Sequence, residues 1–331
     1  MKHPPSATSL CLLIAWLLVI SVGCALRTGG SRLASVPGAS PTGGTPIPRS
    51  SPPESARSLL PNPSAEMSVT PAATAGAYPG SVASPAPTPR PALVFLDPGH
   101  GGVDTGTTGV TEDGNFVNEK DVALAIALRT ADHLRHDGIG VALSRTNDTL
   151  PGSTSADYTS DGTELTPDGV LADLQRRIDR ANASNARVLL SIHLNAFDDP
   201  SIRGTETFYD SSRPFAAQSR RFAELVQTNL MVRFRARGFD APDRGVTDDL
   251  DLVTDRLGTL GVAYHSLVML GPRVHGVLRP SGMPGALSES LFLSNPGEAT
   301  AAAQPDVQEL IATAYTRAIE QFLGDPAASS H

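Results

Sequence analysis

From Ala92 onward, short and almost wholly apolar runs alternate with longer stretches in which apolar residues return every three or four positions. The short runs are ALVFLD (92–97), GVALS (140–144), ARVLLSIH (186–193), TETFYD (205–210), SLVML (266–270) and GALSESLFL (285–293). Each has the length and continuity of a strand buried on both faces. The longer stretches, 118–138, 214–234 and 306–324, carry the period of amphipathic helices, the last closed by Gly324. Strands alternating with helices predict an α/β domain around a largely parallel sheet with helices on both faces. Two polar, turn-rich segments, 147–169 and 248–261, are longer than ordinary connections and read either as rims of a site or as decoration.

The pattern is absent before residue 92. Of the 28 prolines, 16 precede residue 93, and segments such as SVPGASPTGGTPIPRSSPPES hold too few large apolar side chains to offset the entropy of an ordered backbone. Residues 25–92 therefore read as a disordered tether, and 93–325 as one catalytic-sized domain. Residues 1–24 differ again. LCLLIAWLLVISVGC (10–24) behind Lys2 has the length of a signal-peptide core and is short for a membrane span. Its Ser21-Val22-Gly23-Cys24 end resembles a bacterial lipobox, with Ser21 standing where that motif usually has an aliphatic residue. Acylation at Cys24, an uncleaved hydrophobic anchor, or simple secretion all follow from this leader, and all three imply export to the outer membrane face, periplasm or cell wall.

Charge is segregated too. Six Arg/Lys against two Asp/Glu make residues 1–92 net +4; the whole chain is −8, which leaves −12 on the domain. That sign excludes nucleic acid as a natural partner, and the domain is expected to be a monomer. The two cysteines, Cys11 and Cys24, both lie in the leader, so any metal site in the domain must use His and carboxylate.

In open α/β sheets the carboxyl ends of the strands gather the functional groups. His100, in the loop DPGHGGVDTG after the first run, reads as a ligand or as an incidental member of a tight turn; neither phosphate-loop glycine motif is present. His193 ends the third run. Glu119 follows Asn118, a good N-cap, at the start of the first long helix, where the helix dipole alone would also favour it. Two His and one Glu would form a three-ligand zinc site with its fourth position open, the catalytic arrangement. No H-E-x-x-H occurs, so the ligands would come from separate elements. Glu289 lies inside an apolar strand, where an unpaired carboxylate is costly. It could serve as the proton shuttle of such a site, or pair with Arg145 or Arg177. His133 and His136 suit the C-terminal dipole of the first helix, and His265 and His275 flank the fifth run within reach of a rim. Asp97 is placed to orient the loop or its imidazole.

Five segments in order, VFLDPGHGG, NEKDVALAIAL, LQRRIDRANASNARVLLSIHLNA, RGTETFY and SESLFLSNPGEA, resemble the zinc-dependent N-acetylmuramoyl-L-alanine amidases of the third amidase class, from about Leu93 to Phe322. The resemblance implies a mixed, about six-stranded sheet and hydrolysis of the amide between N-acetylmuramic acid and L-Ala in peptidoglycan. Matched by position, it implies one Zn²⁺ on His100, Glu119 and His193, with Glu289 catalytic. A zinc peptidase acting within the stem peptide and a non-catalytic wall-binding module are the alternatives. Ser288 and Ser290 depart from the apolar or small neighbours usual around the catalytic Glu. In some members a helix in the region corresponding to 240–284 plugs the zinc until an activator protein removes it; here that region reads equally as a substrate rim.

Overall fold

A computed structural model describes residues 94–252, 267–273 and 279–325. The leader, the tether, His265, His275 and most of 248–261 lie outside them. The elements are β1 (Val94–Pro98), β2 (Thr108–Val110), β3 (Phe116–Asn118), α1 (Glu119–His136), β4 (Val141–Leu143), α2 (Pro167–Ser184), β5 (Val188–Asn195), β6 (Thr205–Tyr209), α3 (Ala216–Arg237), β7 (Asp243–Asp248), β8 (Gly285–Phe292), α4 (Pro296–Ala302) and α5 (Pro305–Gly324). Six strands form one mixed sheet, β4-β1-β5-β8-β6-β7. The first four in that order are parallel, β6 is antiparallel to β8, and β7 is parallel to β6. Strands β2 and β3 form a separate antiparallel hairpin between β1 and α1.

Alternation along the strands assigns their side chains to two layers. Val94 and Leu96 of β1, Val188, Leu190 and Ile192 of β5 and Ala286 of β8 pack with α1, α3 and α5. In α5, Ile311, Ile319 and Phe322 fall on one stripe and are buried, each contributing about 1.5–3 kcal/mol. On the other face, Phe95, Leu189, Phe208 and Leu287 pack under α2 and under Leu267–Leu270. Helices thus cover both faces, but the second layer is thin.

Several elements differ from the sequence-based expectation. SLVML is not a strand: Leu267–Leu270 is a turn closed by Leu270 N–H donating to Leu267 O at 2.9 Å. Its apolar side chains are buried all the same, so burial alone does not distinguish a strand from an apolar turn. The sixth strand is instead β7, DRGVTD, a polar edge strand with no fully buried residue and hence no apolar run to announce it. Helix α2 begins inside what read as a loop, with Pro167 in its first turn and Thr166 Oγ1 accepting Gly169 N–H at 3.0 Å.

Parallel pairing brings the carboxyl ends of β1, β5 and β8 together. Asp97 lies opposite Ser191, and His193 opposite Glu289. Helix α1 starts at that same end, because the β2–β3 hairpin returns the chain to it.

Candidate metal and catalytic site

The His100 loop is held by two buried arginines. Arg177, from α2, is 1 % exposed and ion-pairs with Asp97 at 2.9 Å and Asp173 at 2.6 Å. The same guanidinium donates to Pro98 O at 2.8 Å and His100 O at 2.6 Å. Burial works against both charges of the Asp97–Arg177 pair, yet their mutual attraction holds Asp97 below the usual carboxylate range and Arg177 above its own. Arg145 donates to Pro98 O at 3.0 Å, Gly99 O at 2.7 Å and Lys120 O at 2.7 Å, tying the loop to α1. Burial, then the charge of Arg177, pull Arg145 down to about 10. Neither arginine is the partner of Glu289 that the sequence left open. Asp97 orients the loop through Arg177 and accepts Ser191 Oγ at 2.8 Å; it makes no hydrogen bond to an imidazole.

So anchored, His100 sits at φ 61°, a left-handed conformation uncommon for a residue with a Cβ. Its Nδ1 faces Asp104 Oδ2 at 2.9 Å, which turns Nε2 towards Glu119 Oε1, 3.2 Å away. His193 Nδ1 lies 2.8 Å from the same oxygen. Donor atoms of His100, Glu119 and His193 all fall within 4.8 Å of one another, and this is the one such cluster among the described residues. Glu119 is itself fixed: Leu194 N–H donates to Oε1 at 3.1 Å and Thr107 N–H to Oε2 at 2.9 Å. Burial alone would raise its pKa, but the two imidazoles outweigh burial and hold it well below the usual range. For His100, burial is likewise outweighed, by Glu119 and Asp104, and its pKa lies well above the ordinary value.

Asn118 does stand at the N-cap of α1, but its side chain does not cap the helix. Thr107 O and Thr105 O instead accept the N–H groups of Glu119 and Lys120, at 2.9 and 3.2 Å. The loop following His100 therefore closes over the start of the helix. Two glycines make the crowding possible. Gly106, at φ 61°, would place a Cβ 2.6 Å from both Glu119 Oε2 and His100 Cδ2. At Gly99 a Cβ would enter the ring of His193, so the glycine of the His loop makes room for the other histidine. Gly99→Ala is accordingly expected to displace His193 and weaken metal binding about 10- to 100-fold, measured by competition with a chromophoric chelator, while the fold survives by circular dichroism.

Glu289 is 4 % exposed and lines the same cavity, of about 390 Å³, as His100, Glu119 and His193. Its Oε2 is buried with no hydrogen-bond partner. Burial, then the negative charge of Glu119, push its pKa well above the ordinary value. The flanking serines do not touch the carboxylate. Ser288 faces the opposite layer, where its Oγ accepts Tyr315 Oη–H at 2.9 Å, and Ser290 Oγ donates to His193 O at 3.3 Å. The cavity's apolar wall comes from α2 and from the Leu267–Met269 turn.

His133 lies outside the site and pairs with Glu309 of α5 at 2.8 Å. The sequence reading did not single out Asp104, whose signal is its place four residues after His100 in a glycine-rich loop. It considered Arg145 and Arg177 only as partners of Glu289.

A family profile described as N-acetylmuramoyl-L-alanine amidase matches residues 94–321. The germination-specific N-acetylmuramoyl-L-alanine amidase of Bacillus subtilis (strain 168) is 30% identical over 239 residues, covering 71% of this chain and 82% of that protein. Among solved structures, an N-acetylmuramoyl-L-alanine amidase from Clostridium difficile 630 is 29% identical with a TM-score of 0.50, over 72% of this chain and 100% of its own. The CwlD amidase of Clostridioides difficile, solved in complex with the GerS lipoprotein, is 26% identical with a TM-score of 0.51, over 70% of this chain and 97% of its own. With the profile spanning most of the chain and a 30% identical relative aligned over the same region, this chain belongs to the N-acetylmuramoyl-L-alanine amidase family.

Proposed function

We propose that the chain hydrolyses the amide joining the lactyl group of N-acetylmuramic acid to the L-Ala of the peptidoglycan stem, with a zinc ion held by His100, Glu119 and His193. The observation that carries this is the convergence of two imidazoles on one buried carboxylate, in a cavity that Glu289 also lines. Two nitrogens and one oxygen are a zinc-type donor set. Nitrogen-to-oxygen distances of 2.8 and 3.2 Å approach the roughly 3.3 Å between donors around a tetrahedral zinc. What such an ion supplies is Lewis acidity, towards the amide carbonyl and towards water.

The chain's own groups do the rest. Asp104 and the Leu194 and Thr107 N–H groups fix the donors before substrate arrives, so little reorganisation is needed on binding. The Glu289 carboxylate, which lines the cavity and makes no hydrogen bond among the described residues, takes the proton of the attacking water and returns it to the departing L-Ala nitrogen. Burial keeps that carboxyl avid for a proton, which suits both halves of the exchange.

Residues 93–331 incubated with purified sacculi should release intact stem peptides, and a chelator should stop the release. Mass spectrometry of the products is the decisive readout. L-Ala left on muramic acid would instead mean a peptidase, and binding without release would mean a wall-binding module.

The location proposed for the enzyme is the outer face of the cell membrane. It rests on the apolar run 10–24 and the lipobox-like Cys24, with a retained hydrophobic anchor as the other route. Among the described residues no helix is long and apolar enough to cross a membrane.

A further inference from the structure

Residues 147–166, polar and rich in turns, are built structure. The Asp157 carboxylate accepts Thr154 N–H at 2.6 Å and pairs with Arg176 of α2 at 3.1 Å. Tyr158 Oη donates to Ser153 Oγ at 2.8 Å, and Tyr158 and Leu165 form a β-bridge. A tight turn follows, in which Asp161 Oδ1 accepts Thr159 Oγ1–H at 2.7 Å and Thr163 N–H at 3.2 Å. This insert has two walls. Thr159, Glu164, Leu165 and Thr166 line the central cavity. On its other side the insert and the His loop enclose a second cleft of about 670 Å³, which meets the central cavity at Val103 and Thr159.

The chemistry of the second cleft is one-sided. Six hydroxyl-bearing residues line it: Thr149, Ser153, Ser155, Tyr158, Thr159 and Ser160. Its two charged residues are Asp148 and Asp161, and no cationic side chain lines it. The nearby ammonium of Lys120 is already committed, to Asp148 Oδ2 at 2.7 Å and Gly102 O at 2.8 Å. Thr149, Tyr158 and Thr159 spend their protons on Asn147, Ser153 and Asp161 and offer the cleft acceptors, whereas Ser153, Ser155 and Ser160 make no donor bond among the described residues. That mix of acceptors and donors matches the hydroxyl and acetamido groups of a neutral sugar. A peptide stem bearing carboxylates would meet like charge without a compensating cation. The volume lies within the usual range of small-ligand clefts.

The geometry points to this cleft as a glycan subsite, which receives the neutral N-acetylhexosamine rings beside the muramic acid whose amide lies at His100, Glu119 and His193. This rests on the amidase reading above. The insert thereby sets the enzyme's preference for long glycan over short fragments, and the stem is left to the central cavity.

Ser160 is exposed on the cleft wall, so Ser160→Trp fills the cleft without disturbing the core. Two substrates with the same stem separate the possibilities: a glycan strand of several disaccharides, and a single muramoyl peptide. A few hydrogen bonds to the added rings should favour the strand about tenfold in kcat/KM, and Ser160→Trp should bring that ratio close to one. Chitotetraose, which has no stem, should compete with the strand in the wild type and lose that effect in Ser160→Trp, with unchanged thermal melting as the folding control. A wild type indifferent to glycan length overturns the proposal. So does a variant that keeps the preference, or one whose response follows stem length. If neither substrate releases stems, the amidase reading fails instead.

Discussion

Replacing Glu289 with Ala is expected to leave metal content intact and to lower amide cleavage by about 10²- to 10⁴-fold, the range usual for loss of a positioned general base and acid. The separation follows from geometry. The donor cluster is His100, Glu119 and His193, whereas Glu289 lines the shared cavity outside that cluster and its side chain makes no hydrogen bond among the described residues. Removing an unpaired buried carboxyl relieves a desolvation cost, so the variant should melt no lower than the wild type. Metal analysis by mass spectrometry, melting temperature and turnover on sacculi are measured on the same sample. Loss of metal together with activity would make Glu289 a ligand. Unchanged turnover would remove it from the mechanism.

The second large effect is on stability. Arg177→Ala leaves Asp97 and Asp173, whose side chains are 1 % and 6 % exposed, without their cation, and leaves Pro98 O and His100 O without this donor. Breaking a buried pair from one side costs about 3–5 kcal/mol, or a melting temperature lower by about 10 °C in a domain of this size. Arg177→Lys should recover only part of this, because a single ammonium cannot span acceptors that the planar fork reaches together. Because His100 stands in a left-handed conformation that the surrounding bonds must maintain, metal affinity should fall even where the variant folds. A variant that melts like the wild type would show that the loop does not need this arginine.

The contrast between the two variants shows how the molecule divides its charged groups. Arg177 and Arg145 act on backbone carbonyls and rigidify the loop that carries a donor. Glu289 is held in place only by its strand and is otherwise free to exchange a proton. Glu298 likewise holds backbone in place: its carboxylate accepts Gly204 N–H at 2.8 Å and Phe292 N–H at 2.7 Å, and burial lifts it to about 7.

The sequence by itself determined the strands that lie in the middle of the sheet and the helices α1, α3 and α5, though not α2, because full burial on two faces or on one stripe forces a run or a period that is visible locally. It also placed His100, Glu119, His193 and Glu289 at the ends of elements or within a buried strand, where a polar residue stands out. Parallel pairing of β1, β5 and β8, together with the start of α1 at the same end, then brought the four to one cavity. Only the tertiary structure decided the rest. β7 is polar because an edge strand need not be buried, and the Leu267–Leu270 turn is apolar because it lies on the core without pairing. The Asp97–Arg177 pair joins residues 80 apart, and the second cleft exists only where the 147–166 insert meets the His loop. Charge partners and cavities are set by distances in space, and no local period encodes them.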